Sequence, residues 1–447
     1  MFFSSYKKQY IKLLRLAAPV MLAHLGVISA QLADNIMVGQ LGATPLASVA
    51  FGGTVFFIVF IFIMGITISL TPLVGEQFAQ GKRPLVAAYF QNSLLLFPLV
   101  GIIASALQYA LIPFLYHLGQ PIEVVDMATP YYKYLVWSVI PFMIFAAFKQ
   151  FLEGIGNTTV CMIIVIVSNL INIFFNWLLI YGNWGFPRME AAGAGLATLI
   201  SRIFMPVLVG LYFIFNQRYN RYFASFQWGN FNKAYLATLL SIGFPIALQM
   251  FMEGAAFALT SIMMGWIGTV EIAANQIALT ISNFAFMIVI GLGSATTIRI
   301  SHEYGRRNFV ELKKASNASY HLVLVWNAFT AIAIILFRKQ IAGIFTSDAD
   351  VIQVASYLLI FVAAFQFSDG LQSITIAILR GIQDVKQIMR IAFISYILIN
   401  LPVGYLCAFV FKWGAGGLWV GFIFGLYIAA FLLISRFRKQ YRRLALS

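Results

Sequence analysis

Acidic side chains are scarce in this sequence: 14 Asp and Glu stand against 29 Lys and Arg in 447 residues, and charged types together reach only 10%. So little charge cannot cover a water-exposed surface, which excludes an ordinary soluble globule. Cysteine is almost missing. Cys161 and Cys407 each sit in an apolar stretch, so a disulfide framework and a thiolate metal site are excluded, and both read as small hydrophobes. The four histidines, His24, His117, His302 and His321, are scattered without H-E-x-x-H or a similar ligand spacing, and no phosphate-cradling G-x-x-x-x-G-K-[ST] occurs. No catalytic residue and no cofactor is therefore expected. The net charge of +15 raises the question of nucleic acid, but Lys and Arg are not interleaved with the aromatics as a base-stacking surface requires. A nucleic-acid partner is not expected.

What fills the chain instead is apolar. Hydrophobic residues make up 61% of it, mean hydropathy is +0.89, and many runs exceed the ~20 residues that cross a bilayer. Segmentation at Gly, Pro and charge predicts twelve helices, over 12–38, 47–74, 86–110, 128–152, 159–181, 192–215, 236–264, 272–299, 312–337, 351–379, 385–411 and 413–436. The basic stretch Lys7, Lys8, Lys12 and Arg15 precedes a long apolar run without a small-x-small cleavage site, so it reads as a retained first helix. With the N-terminus in the cytoplasm, 23 Lys and Arg fall on that side and five (Lys133, Arg188, Arg338, Lys339, Lys412) on the other, leaving Arg202 within a helix. That bias predicts a multi-pass protein of the cytoplasmic (inner) membrane with both termini cytoplasmic.

The polar connection 216–235 divides the twelve helices into an N-terminal lobe, 1–215, and a C-terminal lobe, 236–447, which ends in a basic tail. The lobes resemble each other. Pro19, Gly39 and Gly42 recur 226 residues later as Pro245, Gly265 and Gly268, and Gly65 recurs as Gly291. Gly81 and Arg83 recur as Gly305 and Arg307, Gly154-Ile155 as Gly381-Ile382, and Gly193-Ala194-Gly195 as Gly414-Ala415-Gly416. The preserved order indicates duplication. Because each half has an even number of spans, the fold class is all-α: two six-helix bundles related by a pseudo-two-fold axis along the membrane normal, an architecture suited to alternating access.

Three acids lie inside these apolar segments: Asp34 in LADNIMVG, Glu253 in MFMEGAAF and Asp369 in FSDGLQSITIAIL. A carboxylate in hydrocarbon is expensive and marks ion or substrate handling unless a cation neutralises it, and Arg202 is the only such cation these segments offer. Amides and hydroxyls share faces with the acids: Gln31 with Asp34; Asn169, Asn172 and Asn176 in the fifth helix; Thr198 with Arg202 in the sixth; Gln249 with Glu253; Gln276, Thr280 and Asn283 in the eighth; Gln366 and Gln372 with Asp369. The plain alternative for any single amide is interhelical hydrogen bonding.

These acid motifs, the duplicated halves and LTPLVGEQFAQGKRP after the second helix together resemble the multidrug and toxic compound extrusion family, in its NorM-like branch, over essentially the whole chain. The resemblance implies a Na⁺- or H⁺-coupled antiporter, acting as a monomer in membrane lipid, that exports lipophilic, often cationic small molecules. It implies that Glu253 and Asp369 bind the coupling ion in the C-terminal lobe, and that Asp34, Asn172, Asn176 and Thr198 form an N-terminal-lobe ion site, with Na⁺ possible at all three acids. It further implies that Thr54, Gln276 and Asp348 contact drug near the outer mouth. Phe286 and Phe365 join that substrate set and stand where a tyrosine is familiar; Asn176 stands where others carry an acid. The sequence thus leaves both Na⁺ and H⁺ as drivers. Two rivals remain: a lipid-linked oligosaccharide flippase of related architecture, which would want cationic residues in its cavity, and a membrane-embedded enzyme, which the missing catalytic spacing disfavours.

Overall fold

Inside hydrocarbon a chain must satisfy its own N–H and C=O groups, and a helix does so within one segment. In the computed structural model, which describes residues 2–224, 226 and 231–446, every regular element is accordingly helical. Residues 225 and 227–230 of the expected 216–235 connection lie outside the described residues. Twelve helices are long and apolar enough to span: α1 (Tyr6–Gly39), α2 (Ala43–Ala79), α3 (Arg83–Ala110), α4 (Ile122–Gly154), α5 (Thr159–Tyr181), α6 (Glu190–Phe215), α7 (Lys233–Ile267), α8 (Thr269–Gly305), α9 (Phe309–Phe345), α10 (Ala349–Gly381), α11 (Val385–Val410) and α12 (Gly414–Leu446). All twelve expected segments are there. Most are longer than expected, because an apolar run marks only the hydrocarbon-buried stretch while helical bonding continues beyond it. Thus α9 passes through Arg338 and Lys339, and α12 carries the basic tail. Within α11 the turns widen to π-helix at Phe393–Asn400 and Leu406–Val410.

The helices form two compact units, Leu22–Ala247 and Met1–Met21 joined with Leu248–Ser447. The chain passes from one to the other inside α1 and inside α7, two residues beyond Pro19 and Pro245, rather than in the 216–235 connection expected from composition. Each proline lacks the N–H that would bond the carbonyl four residues earlier, so the ladder is interrupted just where the helix changes unit. In Leu22–Ala247 the hub is α4, which packs on α2, α3 and α6. In the other unit the hub is α10, packed on α8, α9 and α12. These are the fourth helices of the two repeats.

The duplication is visible as duplicated contacts. Thr71 Oγ1 donates to the Gln150 carbonyl at 3.1 Å, and Thr297 Oγ1 donates to the Ala377 carbonyl at 3.0 Å. A Cβ added at Gly154 would meet Val74 at 2.8 Å, and one at Gly381 would meet Ile300 at 2.7 Å. Gly195 backs onto Tyr131 as Gly416 backs onto Tyr357, and Gly65 faces Ala247 as Gly291 faces Met21. Small residues at these crossings let the helix backbones approach closely, which is how membrane helices gain packing without a hydrophobic drive.

Candidate functional site

In the unit Leu22–Ala247, α1, α5 and α6 bring together the four residues expected there. Asn176 Nδ2 donates to Asp34 Oδ1 and, at 3.2 Å, to Asn172 Oδ1. Asn172 Nδ2 reaches Thr198 Oγ1 at 3.4 Å, and the threonine hydroxyl donates to the Ala194 carbonyl at 3.0 Å. Asn172 and Asn176 are buried, while Asp34 and Thr198 are half-buried. The i, i+4 spacing of the two asparagines on α5 makes this chain possible. Gln31, expected on the same face as Asp34, is exposed and stands outside the network.

In the second unit Glu253 on α7 accepts from Gln249 Nε2 at 2.7 Å, and Gln249 Oε1 accepts from Arg380 Nη2 at 2.7 Å. Asp369 on α10 is buried and within electrostatic range of Glu253. It lines a hollow of ≈ 10 Å³ with Ser282, Phe286, Asn327 and Gln366 among its neighbours, a volume near that of one water-sized sphere. Asn327 Nδ2 donates to the Gln366 carbonyl at 2.7 Å, and Thr330 Oγ1 to Gln366 Oε1 at 2.6 Å. Gln372 Nε2 donates to the fully buried Tyr396 hydroxyl at 2.6 Å, and Glu253 and Asp369 both act on that phenol. Asn176 Oδ1 in one unit and Gln372 Oε1 in the other are buried oxygens without a protein donor. Such atoms beside a carboxylate are suited to a water or a small cation.

The residues expected to meet substrate are more dispersed. Phe286 lines the Asp369 hollow. Phe365 does not: only 1% exposed, it packs edge-on against Trp419, Phe422 and Phe257, with centroids 5.5, 6.0 and 6.2 Å away. Thr54 is exposed, its hydroxyl bonded to the Ala50 carbonyl at 2.8 Å. Gln276 and Asn283 are exposed on α8, where Thr280 donates to the Gln276 carbonyl at 2.8 Å. Asp348 caps α10, accepting from the Asp350 and Val351 amides at 2.9 and 3.3 Å.

Two participants were not anticipated. Arg202 was expected to be the only cation within the spans, but α10 runs to Gly381 and carries Arg380 in its last turn. The signal was present: Arg380 is eleven residues after Asp369, close to three full turns, and so shares its face. Tyr396 carried no such signal, being one of 20 tyrosines on a helix whose π turns displace any regular face. Cys161 and Cys407 are free and buried, as small hydrophobes should be. Among the described residues no three His, Cys, Asp or Glu side chains gather as a metal-ligand set.

This helical fold has relatives. The solved Vibrio cholerae MATE transporter VcmN in its bent form superposes with a TM-score of 0.88 at 20% identity, over 99% of each chain. In sequence, this chain is 32% identical over 445 residues to the multidrug resistance protein NorM of Photobacterium profundum, covering 97% of this chain and 96% of that one. It is 34% identical over 446 residues to the probable multidrug resistance protein NorM of Pasteurella multocida, covering 98% and 95%. The MatE family model matches residues 19–178 and again 245–406. One model thus fits each half, beginning at Pro19 and at Pro245, and with relatives above 30% identity along nearly its whole length this chain belongs to the MatE family.

Proposed function

We propose that the chain is an antiporter that exports lipophilic, often cationic compounds across the cytoplasmic membrane, driven by Na⁺ or H⁺ and working by alternating access. The observation that carries this reading is the bonding of the three intramembrane acids. Among the described residues no Lys, Arg or His nitrogen lies within 4 Å of Asp34, Glu253 or Asp369. A carboxylate clamped by a fixed cation has little left to offer a mobile one. These three are held by neutral amides or stand beside a hollow, so a proton, Na⁺ or a cationic drug can supply the missing charge. Glu253 and Asp369 are the primary coupling pair. Asp34, Asn172, Asn176 and Thr198 gather the same donor types in the other unit, where Arg202 also acts on the acid from beyond 4 Å. The names of the curated relatives, multidrug resistance proteins, agree with this reading.

In the cycle, a cation entering the acids displaces drug outward, and the neutralised site allows closure and return. The energy suffices: one charge moving through ~150 mV is worth about 3.5 kcal/mol, some 2.5 decades of drug gradient. Breadth of substrate follows from 15 Met and 43 Phe, whose soft and flat side chains accommodate different apolar shapes. Efflux from proteoliposomes under an imposed Na⁺ gradient and, separately, an imposed pH gradient tests the proposal. Glu253→Gln and Asp369→Asn should each abolish coupled efflux while the protein still elutes as a folded species. Wild-type efflux in both variants would reject the coupling pair.

A further inference from the structure

Arg202 is a charge that the export cycle does not use. It lies half-buried on α6 in the unit Leu22–Ala247. Its guanidinium carbon is 4.9 Å from the ring centre of Phe60, 5.2 Å from Phe142 and 5.5 Å from Phe56. Nη1 donates to Ser138 Oγ at 2.8 Å, and among the described residues no carboxylate comes within 4 Å. The electron-rich faces of three rings therefore take the place of a counter-ion. Asp34 and Tyr131 act on the guanidinium from further away.

The internal repeat identifies what this place corresponds to in the other unit. The offset of 226 carries Phe56 to Ser282 and Phe60 to Phe286. Along the C-terminal halves of α4 and α10 the offset is 227, fixed by contacts as well as by sequence: Gly101 abuts Met143, and their counterparts Asn327 and Gly370 abut each other. That register carries Phe142 to Asp369. Ser282, Phe286 and Asp369 all line the small hollow beside the acid. The phenylalanine cage is thus the repeat counterpart of the Asp369 hollow. Arg202 itself has no cationic counterpart, since the offset of 221 that relates Gly195 to Gly416 places Ile423 there.

We infer that Arg202 is a tethered cation occupying the N-terminal counterpart of the acid hollow, and that it confines mobile cations to the unit holding Glu253 and Asp369. The inference rests on the cation-coupled reading above and adds an asymmetry to it. While Arg202 is seated, its positive charge repels a second cation from Asp34, and its planar group covers the ring faces that would otherwise take a small quaternary ammonium ion. One residue then decides whether the Asp34 network is open to mobile cations.

The test is equilibrium binding of radiolabelled tetramethylammonium to the purified full chain by scintillation proximity. Arg202→Met should bind one further equivalent per chain compared with wild type, and the double variant Arg202→Met, Asp34→Asn should lose it. Arg202→Lys, which keeps a tethered charge, should show no gain. Arg202→Gln retains a donor for Ser138 and replaces the methionine variant if that one does not hold its fold. No extra equivalent in either neutral variant overturns the inference, as does an equal gain in Arg202→Lys, which would trace to packing rather than charge. The export reading fails separately, if wild-type proteoliposomes move no cationic compound under either ion gradient; the added equivalent is read without transport and still decides the role of Arg202.

Discussion

An acid in an apolar run can be read from sequence because its desolvation cost is large whatever the fold, and Asp34, Glu253 and Asp369 were found on that ground alone. Their partners were legible only where helical spacing exposed them. Gln249 lies one turn before Glu253 and does bond it, and Asn172 and Asn176 are one turn apart and do form a chain. Gln31 satisfies a similar spacing and bonds nothing in the network, because a shared face sets direction and not reach. The Gln249 bridge supports a prediction. A hydrogen bond to a charged group contributes about 1.5–3 kcal/mol, so Gln249→Leu, which removes the hydrogen-bonded bridge between Arg380 and Glu253, should lower coupled efflux by about tenfold or more. Gln31→Leu in the same proteoliposome assay should stay within about twofold of wild type. Equal behaviour of the two variants would show that the bridge serves packing only.

At the scale of the element, hydropathy defined all twelve helices but not how the chain distributes them. The crossing between units inside α1 and α7 could not be read, since an apolar helix looks the same on either side of Pro19 or Pro245. The π turns of α11 were hidden for a related reason: a helix apolar on most faces gives no period to distort. Of the recurring glycines, weak individually as sequence signals, Gly65, Gly154 and Gly195 and their counterparts Gly291, Gly381 and Gly416 mark helix crossings, while Gly42, Gly81 and Gly414 instead adopt positive φ. At Gly65 an added Cβ would lie 2.7 Å from the Ala247 backbone nitrogen, whereas at Gly210 nothing lies within 4 Å. Overpacking a close crossing costs about 1–3 kcal/mol. Gly65→Leu should therefore lower the thermal unfolding midpoint in detergent by several degrees, and Gly291→Leu, its counterpart against Met21, should do the same. Gly210→Leu should leave the midpoint unchanged or raise it slightly, since leucine is the better helix former. A drop in all three would mean the loss comes from leucine itself and not from the crossing.

For the whole molecule, orientation comes from the 23-to-five distribution of positive charge. It predicts that cysteines placed at Lys82 and Asn232, in a chain lacking Cys161 and Cys407, react only from the cytoplasmic side, and those at Gln120 and Ser347 only from outside. The converse pattern would invert the proposed direction of transport. Direction gives a cycle its sense, but coupling requires that the two ligands oppose each other. A monocationic drug in an apolar cavity needs a counter-charge, and Glu253 and Asp369 are intramembrane acids with no Lys, Arg or His nitrogen within 4 Å among the described residues. Na⁺ or a proton at those acids removes the attraction. By linkage, drug binding must then weaken cation binding by the same factor that the cation weakens drug. At equilibrium, with no gradient imposed, the apparent affinity for a cationic drug should fall as the driving ion is raised, by up to about tenfold for each 1.4 kcal/mol of coupling. Asp369→Asn should flatten that dependence, since its amide no longer changes charge when the ion arrives. An uncharged lipophile of similar size should show a much weaker dependence in wild type, because it never needed the carboxylate. If drug affinity holds constant across the full range of both Na⁺ and pH, the acids do not couple the two ligands and transport must be driven through some other part of the chain.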